Sequence, residues 1–482
     1  MSERIERFSV AVVVLVYAAA VLLLARSHAH FRGDDLGNIY LLHQLSLFDF
    51  TFTPADAHFS PLHRLATAAL HRMAPWNFDA ALTVLLCAHC AAVVYLQRVV
   101  RLLWNSPSAR WVTAWYATSV FLGFQFLWWS SASHRLPYIA LSVISVYYYL
   151  VYRQTAGRRA ALLALAAFVG ALGFLGKGVL VPALLVGVEV CIVGRPAGAS
   201  VKGRAAILAA MLAVSVAFGL ATLYLVGDAG GAALSPSRLV PHVRFGLNKI
   251  MYGSFGVLPM TSTPALRATM TIATAAVFAW SLYRAPINAL AWLAAVGLLA
   301  VNVVLPATAP RGAHWTLLAT LTSRYYYETL FIVAIFGAIA IANATARREV
   351  GSVPPSPALG RGRLPLRFIA LAVALLVYAC TSFHGFRTAV ERRPERAEAR
   401  RYMRNLLDGM ASVDVSDDGE LRVARGRAPH AVVGFNAPVI GSFDRLLPII
   451  DRRAVVVPES LAEYRVTDDG RVLRLGSGSP AL

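Results

Sequence analysis

Charge is scarce in this chain. Charged residues make up 15% of its 482 positions, against roughly 25% in an average soluble protein. Acid is scarcer than base, with 25 Asp and Glu against 45 Lys and Arg. Before position 345 the acids are Glu3, Glu6, Asp34, Asp35, Asp49, Asp56, Asp79, Glu189, Asp228 and Glu328. Cysteine is almost absent. Cys87, Cys90, Cys191 and Cys380 all lie in or at the ends of apolar stretches, which excludes a disulfide framework. Cys87-Ala-His-Cys90 has the spacing of a redox motif but no thioredoxin-like context, and haem attachment would need the His after the second Cys. We read these cysteines as small buried residues. Zinc-ligand patterns, RNA-binding signatures and internal repeats are all missing. The formal net charge of +20 therefore does not indicate nucleic acid. Lys and Arg sit in short loops between apolar stretches, where they set orientation and meet anionic head groups.

Apolar length is what the chain has in excess. The hydrophobic fraction is 57% and the mean hydropathy +0.59. Stretches long enough to cross a bilayer, about 20 residues each, recur through the first 383 positions. We expect spans near 8–25, 79–98, 111–129, 136–152, 160–176, 178–193, 205–226, 267–283, 287–305, 325–343 and 367–383. The first follows Arg4 and Arg7 as a signal peptide would. It is long for a signal core, and further spans follow, so we read it as an uncleaved helix. Gly351 to Gly362 reads as a Pro/Gly/Ser-rich loop. The tail is mixed and charged: Arg392 to Met410 reads as a polar helix, His430–Gly434 and Ala454–Val457 as strands, and Tyr464–Leu475 as a hairpin. The fold class expected is thus an all-α polytopic membrane protein of about eleven helices over residues 1–383, with a small soluble α/β or α+β domain over 384–482.

The basic loops place the N-terminus in the cytoplasm and the loops 26–78, 227–266 and 306–324, with the tail, outside. The outer loops, the short ones included, also hold Arg64, Arg135, Lys177, Arg244, Lys249, Arg311 and Arg324, more positive charge than orientation requires. A bound anion on the outer side accounts for it.

Four of the few acids fall in the first outer loop, where Asp34 and Asp35 are adjacent. Like charges so close raise one pKa and favour a cation beside them. The pair suits a general base next to a metal ion, and equally a solvated turn or helix cap. From Leu62, apolar residues at 65, 66, 69, 70 and 73 follow helical spacing, with His63, Arg64, Thr67, His71 and Arg72 opposite. This predicts an amphipathic helix on the outer membrane surface. On it Arg64 is either a fork for phosphate oxygens or a head-group anchor. Gly173-Phe-Leu-Gly-Lys177-Gly178 fails the phosphate-loop spacing and lacks the following Ser or Thr. Its Lys177 either snorkels or meets an anion at the end of a broken helix. Arg324, before Tyr325, Tyr326 and Tyr327, is a further phosphate candidate. The tyrosines and Trp128-Trp129 suit an interfacial aromatic belt and also stacking on sugar rings.

In order along the chain these elements resemble the GT-C membrane glycosyltransferases, in particular the branch of the protein O-mannosyltransferases and their bacterial relatives. The matching elements are Gly33-Asp34-Asp35, His58-Phe-Ser-Pro61-Leu62, Leu86-Cys-Ala-His89, Trp129-Ser-Ser-Ala132, Lys177 with Pro182, and Arg324-Tyr325-Tyr-Tyr327, over roughly residues 8 to 343. Two departures stand out. The family often has Ser-Lys-Glu where this chain has Gly176-Lys177-Gly178, and the acid often found before the Trp-Ser turn is missing. Any role of those acids is absent or supplied elsewhere.

The resemblance implies inverting transfer of a sugar from a polyprenyl-phosphate donor to a glycan, lipid or protein acceptor, on the outer face of the bacterial cytoplasmic membrane. It implies Asp34 as base and Asp35 as helper or metal ligand, with a divalent cation (Mg or Mn) as the possible cofactor. Arg64, Lys177 and Arg324 would meet the lipid phosphate, with His58, Trp129, Tyr325 and Tyr327 around the substrate. Three other readings stay open: a transporter or lipid flippase, an O-antigen ligase or polymerase, and a non-catalytic scaffold. The first predicts repeats and midplane charges, the second does not need the early acidic pair, and the third leaves that pair unexplained.

Overall fold

The computed structural model describes residues 2–54, 59–192, 194–226, 236–259, 262–307, 323–346, 366–413, 419–434 and 440–475. Helix α1 (Ser2–His28) leads into three short helices, α2 (Asp34–Gln44), α3 (Leu47–Phe52) and α4 (Pro61–Met73). The membrane part continues with α5 (Phe78–Leu103), α6 (Ala109–Ala117), α7 (Trp129–Thr155), α8 (Arg158–Phe174), α9 (Val181–Cys191), α10 (Val201–Val226), α11 (Pro236–Gly253), α12 (Pro264–Arg284), α13 (Asn288–Ala307), α14 (Tyr327–Ala346) and α15 (Leu366–Glu391). Seven helices among the described residues are long and apolar enough to cross a membrane. The most enclosed is the stretch Ser323–Thr345, with 67% of its apolar window buried, and it carries the Arg324 motif into the centre of the protein.

One expected span is broken and one expected break between spans is present, and the causes of both are local. The stretch 111–129 is not one helix. It stops at Ala117, turns through a 3-10 segment at Gly123–Leu127 and restarts at Trp129. Thr118 and Ser119 end the first piece: the Thr118 hydroxyl bonds back to the Ala114 carbonyl, and Ser119 Oγ accepts the Phe121 N–H at 3.2 Å. Such side chains compete with the helical ladder. Gly123 then lies flat against Phe386, where a Cβ would come within 2.6 Å of the ring. The second break falls at Gly176–Leu180, a 3-10 turn between α8 and α9, where three glycines in six residues weaken the helix. Gly178 is required there, since a Cβ would meet the Leu172 backbone nitrogen at 2.9 Å.

The tail begins with α16 (Glu395–Ser412) and carries a four-stranded sheet. Strand β1 (Leu421–Ala424) pairs in parallel with β2 (Ala454–Val457) and with β3 (Tyr464–Val466), and β3 pairs antiparallel with β4 (Val472–Arg474). The Asp-Asp-Gly hairpin forms as expected, with Gly470 at φ +85°. His430–Gly434 is not a strand: residues His430–Val433 form a one-turn helix, α17, after Pro429, because proline pre-sets the first helical turn. Helix α18 (Phe443–Ile450) buries Phe443, Leu446, Leu447 and Ile449.

The tail docks on the segment after α1. The Gly33 N–H donates to the Val432 carbonyl at 3.0 Å, and Arg400 Nη1 donates to the Ser27 carbonyl at 3.3 Å. Gly33 (φ +51°) and Gly434 (φ +56°) meet there, and a Cβ on Gly434 would lie 3.6 Å from the Gly33 Cα. Only glycine takes such angles without strain.

Candidate functional site

Asp34 and Asp35 open α2, but they do different things. Asp35 is fully buried. Its Oδ1 accepts the Ser130 N–H at 2.5 Å and its Oδ2 the Arg32 N–H at 3.0 Å. Ser130 lies in the first turn of α7, which has no side-chain cap of its own. Helix starts leave N–H groups without intrahelical acceptors, and Asp35 supplies one from a different helix. Asn38 Nδ2 adds a bond to Ser130 Oγ at 3.2 Å. Burial pushes the Asp35 carboxyl up to about 7, against the pull of these hydrogen bonds. Asp34 is half-buried and lies in the field of Arg32, Arg324 and Tyr325.

Cations stack around those aromatic rings. The Arg324 guanidinium lies 4.0 Å from the centre of the Trp128 ring, and that of Arg32 lies 5.1 Å from it. Arg324 also sits 5.3 Å, and Arg135 4.4 Å, from the centre of Tyr325. The backbone of Arg324 is fixed by Gln125, whose Nε2 donates to its carbonyl at 2.7 Å. Behind Tyr325, the fully buried Glu328 pairs with Lys177 and stands 3.6 Å from Arg135 Nε. Lys177 Nζ also donates to Asn302 Oδ1 at 2.8 Å. One carboxylate between two cations leaves this group net positive, and a buried surplus charge calls for a counter-ion.

Helix α4 forms where expected, but its polar face is the buried one. His63, Arg64 and Thr67 are enclosed, while Leu65 and Met73 are 39% and 78% exposed. Arg64 is 2% exposed, 4.6 Å from the centre of Phe50, and its Nη1 and Nη2 have no hydrogen-bond partner among the described residues. It is therefore not a head-group anchor on the surface. A guanidinium with two unused donors is set up for an anion.

The structure thus gathers Asp34, Asp35, Lys177, Arg324 and Tyr325. Trp129 and Tyr327 point elsewhere: Trp129 Nε1 donates to Thr67 Oγ1 at 3.0 Å, and the Tyr327 hydroxyl meets His89 Nδ1 at 2.9 Å while its ring stacks on Tyr116. His58 and Arg311 lie outside the described residues. Sequence reasoning does not single out Arg32 or Glu328, and it reads Trp128 as a belt residue or a sugar-stacking one. For Glu328 a signal was present, since a carboxylate entering an apolar span is costly unless paired. Glu328 is the carboxylate that pairs with Lys177 in this chain.

No family model and no curated protein matches this chain in sequence. Among solved structures it is similar to ArnT from Cupriavidus metallidurans. The apo ArnT structure aligns at TM-score 0.51 with 13% identity, covering 93% of this chain and 86% of ArnT. ArnT bound to undecaprenyl phosphate aligns at TM-score 0.49 with 12% identity over the same shares. The chain has the fold of ArnT.

Proposed function

We propose that this protein is a membrane glycosyltransferase that moves a sugar from a polyprenyl-phosphate donor to an acceptor hydroxyl on the outer face of the bacterial cytoplasmic membrane. The observation that carries the reading is the division of labour in the acidic pair. Asp35 is consumed in capping α7, and this holds Asp34 half-buried beside Arg324 and Tyr325. In support, the fold is that of ArnT, a protein also crystallised with undecaprenyl phosphate.

The chemistry follows from that placement. The acceptor oxygen attacks the anomeric carbon as the bond from that carbon to the phosphate oxygen breaks, so the configuration inverts. Asp34 takes the hydroxyl proton. The bonding electrons leave with the lipid phosphate, whose growing charge is met by Arg324, Lys177, Arg135 and Arg64. Fixed cations in a water-poor site stabilise such charge far more than water does. The expected metal at Asp35 has no role in this scheme, because the described surroundings do not fit it. Backbone N–H groups already engage both Asp35 oxygens, the Arg32 guanidinium lies close by, and no cluster of three or more His, Cys, Asp or Glu occurs among the described residues.

The test is D34N in the native host, with extracted polyprenyl-phosphate sugars compared by mass spectrometry. Loss of a general base costs about 10²- to 10⁴-fold in rate, so one lipid-linked sugar should accumulate while the protein stays in the membrane at its normal level. An unchanged lipid profile, with every surface glycan intact, would sink the assignment and favour a transporter.

A further inference from the structure

The proposed transfer leaves a second group of cations unused, at the seam between the membrane part and the tail. Arg396 on α16 is 9% exposed, and its Nη1 has no hydrogen-bond partner among the described residues. Arg32, Arg393 and Arg324 all press on its charge. The seam is fixed by contacts on either side, the Gly33–Val432 and Arg400–Ser27 hydrogen bonds. Arg32 is pinned within it, its guanidinium against Trp128 and its N–H on Asp35. Arg32, Arg393 and Arg396, with Arg324 of the transfer site next to them, face three carboxyls, Asp34, Asp35 and Glu395. Asp35 already serves two backbone N–H groups, so compensation falls short. Like charges gathered in a half-buried space attract a counter-ion, and guanidinium forks match phosphate oxygens.

We propose that Arg32, Arg393 and Arg396 form a binding site for a phosphate-class dianion, built jointly by the first outer loop and the tail and separate from the cations around Lys177. The site makes the tail a ligand-binding part of the protein. It needs no sugar transfer, so it stands or falls apart from the reaction proposed above. The same chemistry fits a lipid-borne phosphate and a soluble one.

The experiment uses the full-length protein in phosphatidylcholine nanodiscs, with inorganic phosphate as the soluble probe and phosphatidic acid doped into the nanodisc as the lipid probe. Affinity is read from the ligand-dependent rise in melting temperature. Removing one charge-assisted contact should weaken binding about tenfold to a hundredfold in R396Q and in R393Q, while R158Q, at the exposed start of α8, leaves it within about twofold. Binding of inorganic phosphate identifies a soluble ligand, and binding of phosphatidic acid alone identifies a lipid one. D34N, which removes a nearby negative charge, should tighten binding. Arg393 is exposed, so R393Q carries the test even if R396Q folds poorly. Unchanged affinity of R393Q for both probes, or an equal loss of binding in R158Q, overturns the proposal.

Discussion

Asp34 and Asp35 are alike in the sequence and unlike in the protein, and the difference can be measured. Asp35 has its carboxyl pushed up from 3.8 to about 7 by burial. Between those values the folded chain holds a proton that the unfolded chain has lost. The Asp35 contribution is therefore complete below about pH 4 and lost as pH rises through 7, with a slope approaching about 1.4 kcal/mol per pH unit. Melting curves of the wild type and D35N across this window should show a falling difference that is flat above and below it. A parallel pair of curves would mean that Asp35 does not titrate there. Adjacency showed that one member of the pair had to be perturbed. Which one could not be read, because that is decided by Ser130, 95 residues further on. That Glu328 and Arg135 lie together was hidden for the same reason: it comes from a contact between α7 and the start of α14.

Elements were legible where the cause was local. Long apolar stretches became helices, the glycine-rich Gly176–Gly178 became a break, and Asp468-Asp469-Gly470 became a hairpin turn. Features set by distant packing were not legible. Strand β1 is four residues long and exists by pairing with β2 and β3. Helix α4 was recognised by its period, but a period does not say which face the protein covers. It covers the polar one, as suits a helix whose other side meets lipid. The break before α9 supports a prediction at this scale. G178A puts a Cβ 2.9 Å from the Leu172 nitrogen, so the turn that presents Lys177 must shift. Overpacking of this kind costs about 1–3 kcal/mol, and the Lys177–Glu328 pair should be disturbed with it. The expected result is a lower melting temperature together with a loss of transfer larger than the stability change explains. G194A, at a loop glycine with open space around it, should change neither. Wild-type transfer by G178A would show that Lys177 is not held by that turn.

At the scale of the molecule, polar chemistry is concentrated at two ends. One end holds Asp34, Arg324, Lys177 and the docked tail. At the other, Arg153 pairs with Glu189 at 3.2 Å and donates to the carbonyls of Ile192, Arg195 and Pro196, tying down the loop after α9. The second end reads as cytoplasmic because the basic loops gather there: Arg153, Arg158, Arg159, Arg195, Lys202 and Arg204. The tail then faces outward, where the lipid-linked donor would meet its acceptor. Cysteine introduced at Ser412, in the tail, and separately at Arg158, at the start of α8, should settle the orientation in intact cells. The four native cysteines would first be changed to serine or alanine. A membrane-impermeant maleimide should label S412C in spheroplasts and label R158C only after lysis. The opposite pattern would put the acidic pair in the cytoplasm, where soluble nucleotide sugars are the available donors. The site would then have to be reassigned to a different donor, even though its cations and its base would be the same.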